Sequence, residues 1–394
     1  MSAASDAEAF SIEAIFPNHY SEAWVGHTLK SVLEGHASPA VRIGATVMAR
    51  MPEVRAPYIH PLMHRRVWWF IEPYLKNPMA LAYWSARRRL KAGDIAYFWL
   101  GSPPEMCREL QKRGVLVVRE MINCTQAMRR TELAKAYGHI GLPNGHGITD
   151  EVIDEERRGL LACDFVVCPS PLVKQSVVQY GVAPERCIEA SYGWSERRMV
   201  GTSRAMPDDG VFKIGFVGTI DVRKGAPLLL EAWVRSEVKG RLVLAGKVSA
   251  EVEARYADVL ARPDVVRLGQ VQDVGAVYRS LDAFCLPTWE EGCPLVTIEA
   301  MSAGVAPIVT AMGTGGLFAN EDEAGIIVPA GDVDALSRAI QDLSADRTTR
   351  ERFGQRAQAI SREFTWEKVC ERRQALLLEQ RRKWLGNGSA RALP

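Results

Sequence analysis

The stretch T-W-E-E-G-C-P-L-V-T-I-E-A-M-S-A-G, from Thr288 to Gly304, carries Glu291 and Glu299 at what reads as a strand-to-helix junction. Eight residues of continuous helix would turn through roughly 800° and climb about 12 Å, leaving the two carboxylates about 80° out of line. One helical face therefore cannot present both, and a bend must lie between them. Pro294 predicts the start of the helix, since proline is favoured at the first helical position, and Gly304 predicts its stop. Glu291 then lies on the loop after a strand and Glu299 in the second helical turn. Both look into one crevice at the carboxyl end of a parallel sheet, where such sheets bind ligands.

Outward from this junction, apolar runs alternate with amphipathic stretches. Strands are predicted over 211–218, 241–246, 264–268, 283–286 and 305–310, and helices over 226–237, 249–261, 273–280 and 294–303. Short apolar strands separated by helices predict right-handed βαβ units and a parallel sheet covered on both faces. The first half is less regular but of the same kind, with strands near 12–16, 41–47, 95–99, 115–119, 164–168 and 187–190 and a helix over 22–34. Apolar periodicity disappears in G-T-S-R-A-M-P-D-D-G, Gly201 to Gly210, which marks a boundary. The expected fold class is α/β, with two doubly wound, Rossmann-like parallel-sheet domains facing a central cleft. Residues 1–203 form the first and 204–364 the second, while 365–394 form a strongly helical stretch and a frayed tail. A chain of 394 residues exceeds one usual core and suits two.

Composition narrows the class further. With 47% hydrophobic and 24% charged residues the chain is globular, and a net charge of +2 gives no global argument for nucleic acid. Its eight cysteines have no C-x-x-C spacing and several lie in apolar runs, which reads as reduced core thiols of a cytosolic protein. The opening M-S-A-A-S-D-A-E-A-F-S-I-E carries three acids and no base, the reverse of a signal peptide. No uncharged apolar run reaches the ~18 residues needed to span a bilayer. The expected location is cytoplasmic, either soluble or peripheral at the inner face of the cell membrane. All seven histidines lie at or before His146, which argues against a histidine-built metal site beside the glutamates; no metal and no cofactor are expected.

The run F-V-G-T-I-D-V-R-K-G, Phe216 to Gly225, follows a strand and opens a helix. Gly218 permits a close backbone turn, and Arg223 and Lys224 bring positive charge to a helix end that is already positive. Two bases held against the dipole point to a bound anion, and a diphosphate fits. Backbone N–H groups of Gly292, Cys293, Leu295 and Val296 at the next helix start can meet phosphate or sugar oxygens.

Taken together, residues 211–366 resemble the retaining glycosyltransferases of family 4, which have the GT-B fold. The resemblance rests on F-V-G-T-I-D-V-R-K-G, L-V-L-A-G from Leu242, V-R-L-G from Val266, the E-x7-E of Glu291 and Glu299, and F-T-W ending at Trp366. It implies that Lys224 contacts the diphosphate of a nucleoside diphosphate sugar, that Glu299 holds the ribose hydroxyls, and that Glu291 reaches donor-sugar hydroxyls near the reacting carbon. It further implies metal-independent transfer with retention and a final helix that crosses back to the first domain. An arginine usually follows the glycine matching Gly218; Thr219 stands here, so either Arg223, four residues on, replaces that charge or phosphate binding is weaker. The base would pack near Gly269 to Val271, although that stretch also reads as a common turn. Gly313, Gly315 and Gly316 line the phosphate side or form a plain loop.

The first half departs from the family twice. Its glycine-rich turn after the first strand is F-P-N-H-Y-S-E-A-W-V-G, with His19, Ser21, Glu22 and Gly26 as polar and flexible members. The histidine after the fourth strand is replaced by V-V-R-E-M-I-N-C-T, which leaves Arg119, Glu120 or Asn123 to face the donor sugar, Glu120 and Asn123 being the candidate catalytic pair beside Glu291 and Lys224. His139 and His146 either line the acceptor side or are histidines of a glycine-rich loop.

Residues 55–91 concentrate eight bases against Glu72 alone, a net of +7, together with seven aromatics. Arg65, Arg66, Trp68, Trp69, Arg87, Arg88 and Arg89 suit an anionic membrane surface. An anionic glycan or RNA suits them as well, and packing of the aromatics into the core stays open. The expected function is transfer of a sugar from a nucleotide sugar to a lipid-linked or polysaccharide acceptor in cell-surface glycan biosynthesis, with no nucleic-acid partner. Its rivals are a nucleotide-sugar epimerase on the same fold and a non-catalytic sugar-nucleotide binding protein. Glycoside hydrolysis by paired carboxylates leaves the basic turn without a role.

Overall fold

A computed structural model describes residues 9–21, 25–143 and 145–388. The first sheet contains β1 (Phe10–Tyr20), β2 (Val41–Arg50), β3 (Ile59–Pro61), β4 (Ile95–Trp99), β5 (Leu116–Glu120), β6 (Phe165–Cys168) and β7 (Cys187–Glu189), in the order β3-β2-β1-β4-β5-β6-β7. The second contains β8 (Phe212–Val217), β9 (Gly240–Ala245), β10 (Val265–Gly269), β11 (Ala283–Leu286), β12 (Ala306–Val309) and β13 (Ile326–Ile327), in the order β10-β9-β8-β11-β12-β13. Every pairing between neighbours is parallel. Both halves are doubly wound, as periodicity predicts, because runs such as Ile95–Trp99 and Ala283–Leu286 are buried along their whole length and need helices on both faces.

Departures from the predicted elements are local. The edge strands β3 and β13 are too short to show a period. The helix predicted over 249–261 breaks into Ala250–Arg255 and Ala257–Leu260 at Tyr256, whose hydroxyl is drawn 2.5 Å from Glu231 Oε1. Residues 55–91 fold into β3 and the helices Arg65–Ile71 and Pro78–Ala86.

Two chain segments join the halves, and they pair with each other. The Trp194 amide donates to the Phe364 carbonyl at 2.9 Å and the Trp366 amide to the Trp194 carbonyl at 3.1 Å. The final helix, Trp366–Gly388, then packs on the helix Val25–His36 of the first half. Cys370 sits against Gly35, Gln374 donates to the His36 carbonyl at 3.0 Å, and Arg381 donates to the Gly93 carbonyl at 3.0 Å. The tail beyond residue 388, expected to fray, lies outside the described residues.

Candidate active site

Strand order reverses between β8 and β11 in the second sheet, and a crevice opens at the carboxyl ends of strands at such a point. The turn Gly218–Lys224 leaves the end of β8, and the loop carrying Glu290 and Glu291 leaves the end of β11. Gly225 is what lets them meet. It lies at φ 75° as the cap of the helix Ala226–Ser236, and a Cβ there would come 2.0 Å from the Pro287 carbonyl oxygen. The Trp289 amide and the Thr288 hydroxyl donate to the Arg223 carbonyl at 3.0 and 3.1 Å, locking turn to loop.

Glu291 is buried and bonded to the Lys224 ammonium, with Arg223 Nη1 3.1 Å from the same carboxylate oxygen. Burial pushes the Glu291 carboxyl up, but Lys224 and Arg223 outweigh it and hold it below its ordinary value. The two bases therefore do stand at a helix N-terminus, and the anion they meet in this structure is Glu291 itself. Beside it Glu290, which sequence reasoning passed over, is fully buried. Its Oε2 lies 3.5 Å from both Arg223 Nη1 and Arg129 Nε, and Arg129 comes from the first half. A chain of alternating charge thus runs from Arg129 across the cleft to Lys224.

Glu299 occupies the second turn of the helix Leu295–Ser302, as the sequence predicts, although the helix begins one residue after Pro294, which is its cap and not its first residue. Its Oε1 lies 2.7 Å from Arg198 Nη1, and its Oε2 accepts from the Tyr278 hydroxyl at 3.2 Å. Burial pushes this carboxyl up, with Arg198 and Tyr278 pulling the other way. The amides of Gly292, Cys293, Leu295 and Val296 lie at or just ahead of this helix start, between the two glutamates. Thr219 is half-buried next to Gly218, whose φ is 124°. Gly315 closes on Pro294 and Cys293, where a Cβ would meet them at 3.0 and 3.3 Å.

Beyond the Gly218 turn, a cavity of about 680 Å³ opens above the ends of β9 and β10. Gly269 lines it together with Gln270, Lys247 and Arg267, whereas Val271 packs against the core. Arg267, the arginine of V-R-L-G, is bonded to both carboxylate oxygens of Glu253 at 2.9 and 2.6 Å.

The family model described as glycosyl transferases group 1 matches residues 211–346. Residues 211–346 belong to the glycosyl transferases group 1 family. The chain is 31% identical over 170 residues to the capsular polysaccharide biosynthesis glycosyltransferase CapM of Staphylococcus aureus, covering 40% of this chain and 44% of that protein. It is 32% identical over 145 residues to the lipopolysaccharide core biosynthesis mannosyltransferase LpcC of Rhizobium leguminosarum bv. viciae, covering 34% and 41%. The matched regions span less than half the length of these curated relatives. Over the whole fold, the structure resembles sucrose-phosphate synthase from Thermosynechococcus elongatus with a TM-score of 0.72 at 18% identity, covering 94% of this chain and 98% of that one. The fold is GT-B.

Opposite the group 1 domain, the first half does not bring its expected residues together. Glu120, expected to face the donor sugar, is fully buried and turned away into an ion pair. Arg373 Nη2 from the final helix bonds both its oxygens, at 2.8 and 2.7 Å, and the hydroxyls of Tyr97 and Tyr192 donate to it as well. Glu120 is thus the anchor of the final helix, and the catalytic assignment is corrected. Arg119 is also buried, with Nε and Nη1 lacking a hydrogen bond. Asn123 does reach the group 1 domain: a Cβ on Gly292 would come 1.8 Å from the Ile122 carbonyl oxygen and 3.0 Å from Asn123 Cα, so only glycine permits this approach.

His139 bridges the halves, its Nε2 lying 3.0 Å from Glu231 Oε2 and its ring beside Trp289. His146 stays within its own loop, where Nδ1 accepts from the Ile148 amide at 3.0 Å. The supposed glycine-rich turn is largely regular structure: His19 belongs to β1 and Gly26 to the helix Val25–His36, while Glu22 lies outside the described residues.

The segment 55–91 divides between core and surface. Trp68, expected at a membrane surface, is 2% exposed and part of the core, a correction that its neighbours underline. Trp69 and Trp84 are half exposed, and Phe70 and Tyr74 are 77% and 79% exposed. Arg65 stacks over Trp69 and Arg87 over Trp84. Arg66 and Arg88 are exposed, whereas Arg87 also pairs with Glu109 and Arg89 reaches Thr46 at 3.1 Å. Among the described residues no helix is long and apolar enough to cross a membrane.

Proposed function

We propose that the protein is a retaining glycosyltransferase that moves a sugar from a nucleoside diphosphate sugar to a lipid-linked or polysaccharide acceptor in cell-surface glycan biosynthesis. The observation that carries this reading is the convergence of Lys224, Arg223 and Glu291 with the helix start at Leu295, all at the switch point of the group 1 domain. In this reading a donor diphosphate draws Lys224 and Arg223 away from Glu291, since a phosphate accepts charge-assisted bonds that a single carboxylate only partly supplies. Glu291 is then released toward the sugar hydroxyls, and Glu299 holds the ribose. Charge on the departing diphosphate is met by fixed cations and helix amides, so no metal is required. In this reading Asn123, whose Cα approaches Gly292, faces the sugar.

The names of relatives support the same direction. CapM is described as acting in capsular polysaccharide biosynthesis and LpcC as a lipopolysaccharide core mannosyltransferase. The exposed aromatics Trp69, Phe70, Tyr74 and Trp84 beside Arg65, Arg66 and Arg88 support attachment at the inner face of an anionic membrane. The test is transfer from UDP-, GDP- and ADP-sugars to glycolipid and oligosaccharide acceptors in excess EDTA, with the anomeric configuration of the product read by NMR. Transfer with retention is expected. Inversion, epimerisation without acceptor, or complete loss restored by manganese or magnesium would overturn the reading.

A further inference from the structure

We infer that Arg198 is a positioning residue for the ribose site: it keeps the buried Glu299 carboxylate charged and oriented before a nucleotide arrives, and gives way to the ribose diol on binding. The inference rests on the reading of Glu299 as the group that holds the nucleotide ribose.

Both carboxylate oxygens of Glu299 are already engaged, Oε1 with Arg198 Nη1 at 2.7 Å and Oε2 with the Tyr278 hydroxyl at 3.2 Å. The carboxylate has lone pairs to spare, but its side chain is only 5% exposed behind the half-exposed Arg198, so a diol reaches it only where a partner yields room. The two sides of the ion pair differ sharply in what leaving costs. The Arg198 side chain is 43% exposed and the Glu299 side chain 5%. A guanidinium at the surface regains water when it swings out, whereas a carboxylate sealed in the helix cannot be left bare. Exchange of arginine for diol leaves Glu299 hydrogen-bonded throughout.

Arg198 lies next to the connection between the halves. It sits on the short helix Glu196–Met199, ahead of the boundary segment 201–210. That helix rests on the helix Val274–Tyr278, which supplies the Tyr278 hydroxyl. Gly275 lies under the Arg198 carbonyl, and a Cβ there would come within 2.8 Å of it. Arg279 holds both the Met199 and Ser203 carbonyls at 2.8 Å. The backbone around Arg198 is thus pinned, and the exchange needs only its side chain to swing.

The groups that face Glu299 are Arg198 and Tyr278, and burial opposes both by pushing the carboxyl up. Without Arg198 the carboxyl rises further and carries more proton at a given pH. A diol that binds the carboxylate must then expel that proton, so binding strengthens as pH rises. This proton release separates a positioning role from ordinary packing.

The experiment is isothermal calorimetry of UDP, ADP and GDP, each with its 2′,3′-dideoxy counterpart, on the full chain and on Arg198→Met. Buffers of low and high ionisation enthalpy at pH 7 count the protons released. Wild type is expected to prefer the ribonucleotide. Arg198→Met is expected to release more protons than wild type on binding it and, at pH 8.5, to bind it on the order of fivefold tighter, the worth of a partly exposed ion pair. Dideoxy binding should be unchanged. Equal weakening of ribo- and dideoxynucleotides in Arg198→Met, or unchanged affinity with no extra proton release, overturns the inference while leaving the ribose reading intact. If wild type binds ribo- and dideoxynucleotides alike, or binds none of the three, the ribose reading fails and the inference with it. Arg198→Lys, which keeps the charge on a shorter reach, serves if Arg198→Met does not fold, with an intermediate proton release expected.

Discussion

Replacing Glu120 with glutamine should destabilise the protein more than it impairs any chemistry. The Arg373 side chain is 3% exposed and that of Glu120 is 0% exposed, so neither charge can turn to water when its partner is lost. Glu120→Gln removes the anion that meets Arg373 Nη2 through two bonds of 2.8 and 2.7 Å, leaving the guanidinium only neutral acceptors, among them the Ala190 and Ser191 carbonyls. Breaking a buried pair from one side costs about 3 to 5 kcal/mol. Glutamine keeps one oxygen acceptor, which sets the expectation near the lower bound. Urea unfolding followed by tryptophan fluorescence reads the loss, and a double-mutant cycle with Arg373→Met isolates the coupling. Because the pair pins the final helix to the first sheet, limited proteolysis should also cut within 366–388 sooner in the variant. Unchanged urea stability combined with lost transfer activity would refute this reasoning and return Glu120 to the donor sugar.

Three further outcomes are expected. Lys224→Ala should weaken nucleoside diphosphate binding by about 1.5 to 3 kcal/mol, the worth of a charge-assisted hydrogen bond, and calorimetry showing unchanged affinity would remove Lys224 from the diphosphate site. Burial pushes the Glu13 carboxyl up to about 7 from its ordinary 4.5, against the Thr46 hydroxyl and Arg89. Its stabilising contribution is then complete below about pH 4.5 and lost as pH rises through 7, so wild type should lose roughly 2 kcal/mol relative to Glu13→Gln between pH 5 and pH 8, measured by denaturation at each pH. Replacing Arg65, Arg66 and Arg88 with serine should remove up to about 3 kcal/mol of binding to anionic vesicles; equal cosedimentation of wild type and variant, or none of either, would leave segment 55–91 as ordinary surface.

Legibility varied with the range of the interaction. The two sheets were readable because strands such as β4, β11 and β12 are runs of four or five buried apolar residues whose burial depends on their own composition. The placement of Glu291 and Glu299 followed from helix geometry and from Pro294, which are also local. Thr219, Arg223 and Lys224 were legible as a turn at a helix start for the same reason. The exceptions are positions where neighbours in sequence part company. Trp68 is core and Trp69 is half exposed, since the phase of a seven-residue helix is set by what it packs on. Glu120 ends β5 and Asn123 lies three residues later, yet one is sealed under the final helix and the other reaches Gly292.

By itself, the sequence determined two doubly wound domains, the crevice at the end of the second sheet, and the residue types gathered at its rim. Only the tertiary structure decided which charge meets which. Arg373 reaches Glu120 across 253 positions, Arg129 reaches Glu290 across the cleft, and Arg198 reaches Glu299 from the connection between the halves. Strand and helix are fixed by contacts within a few residues of chain, where periodicity and capping leave a mark. A buried carboxylate instead takes whichever cation the packing of distant elements brings within a few ångströms, because an unpaired buried charge is too costly to keep.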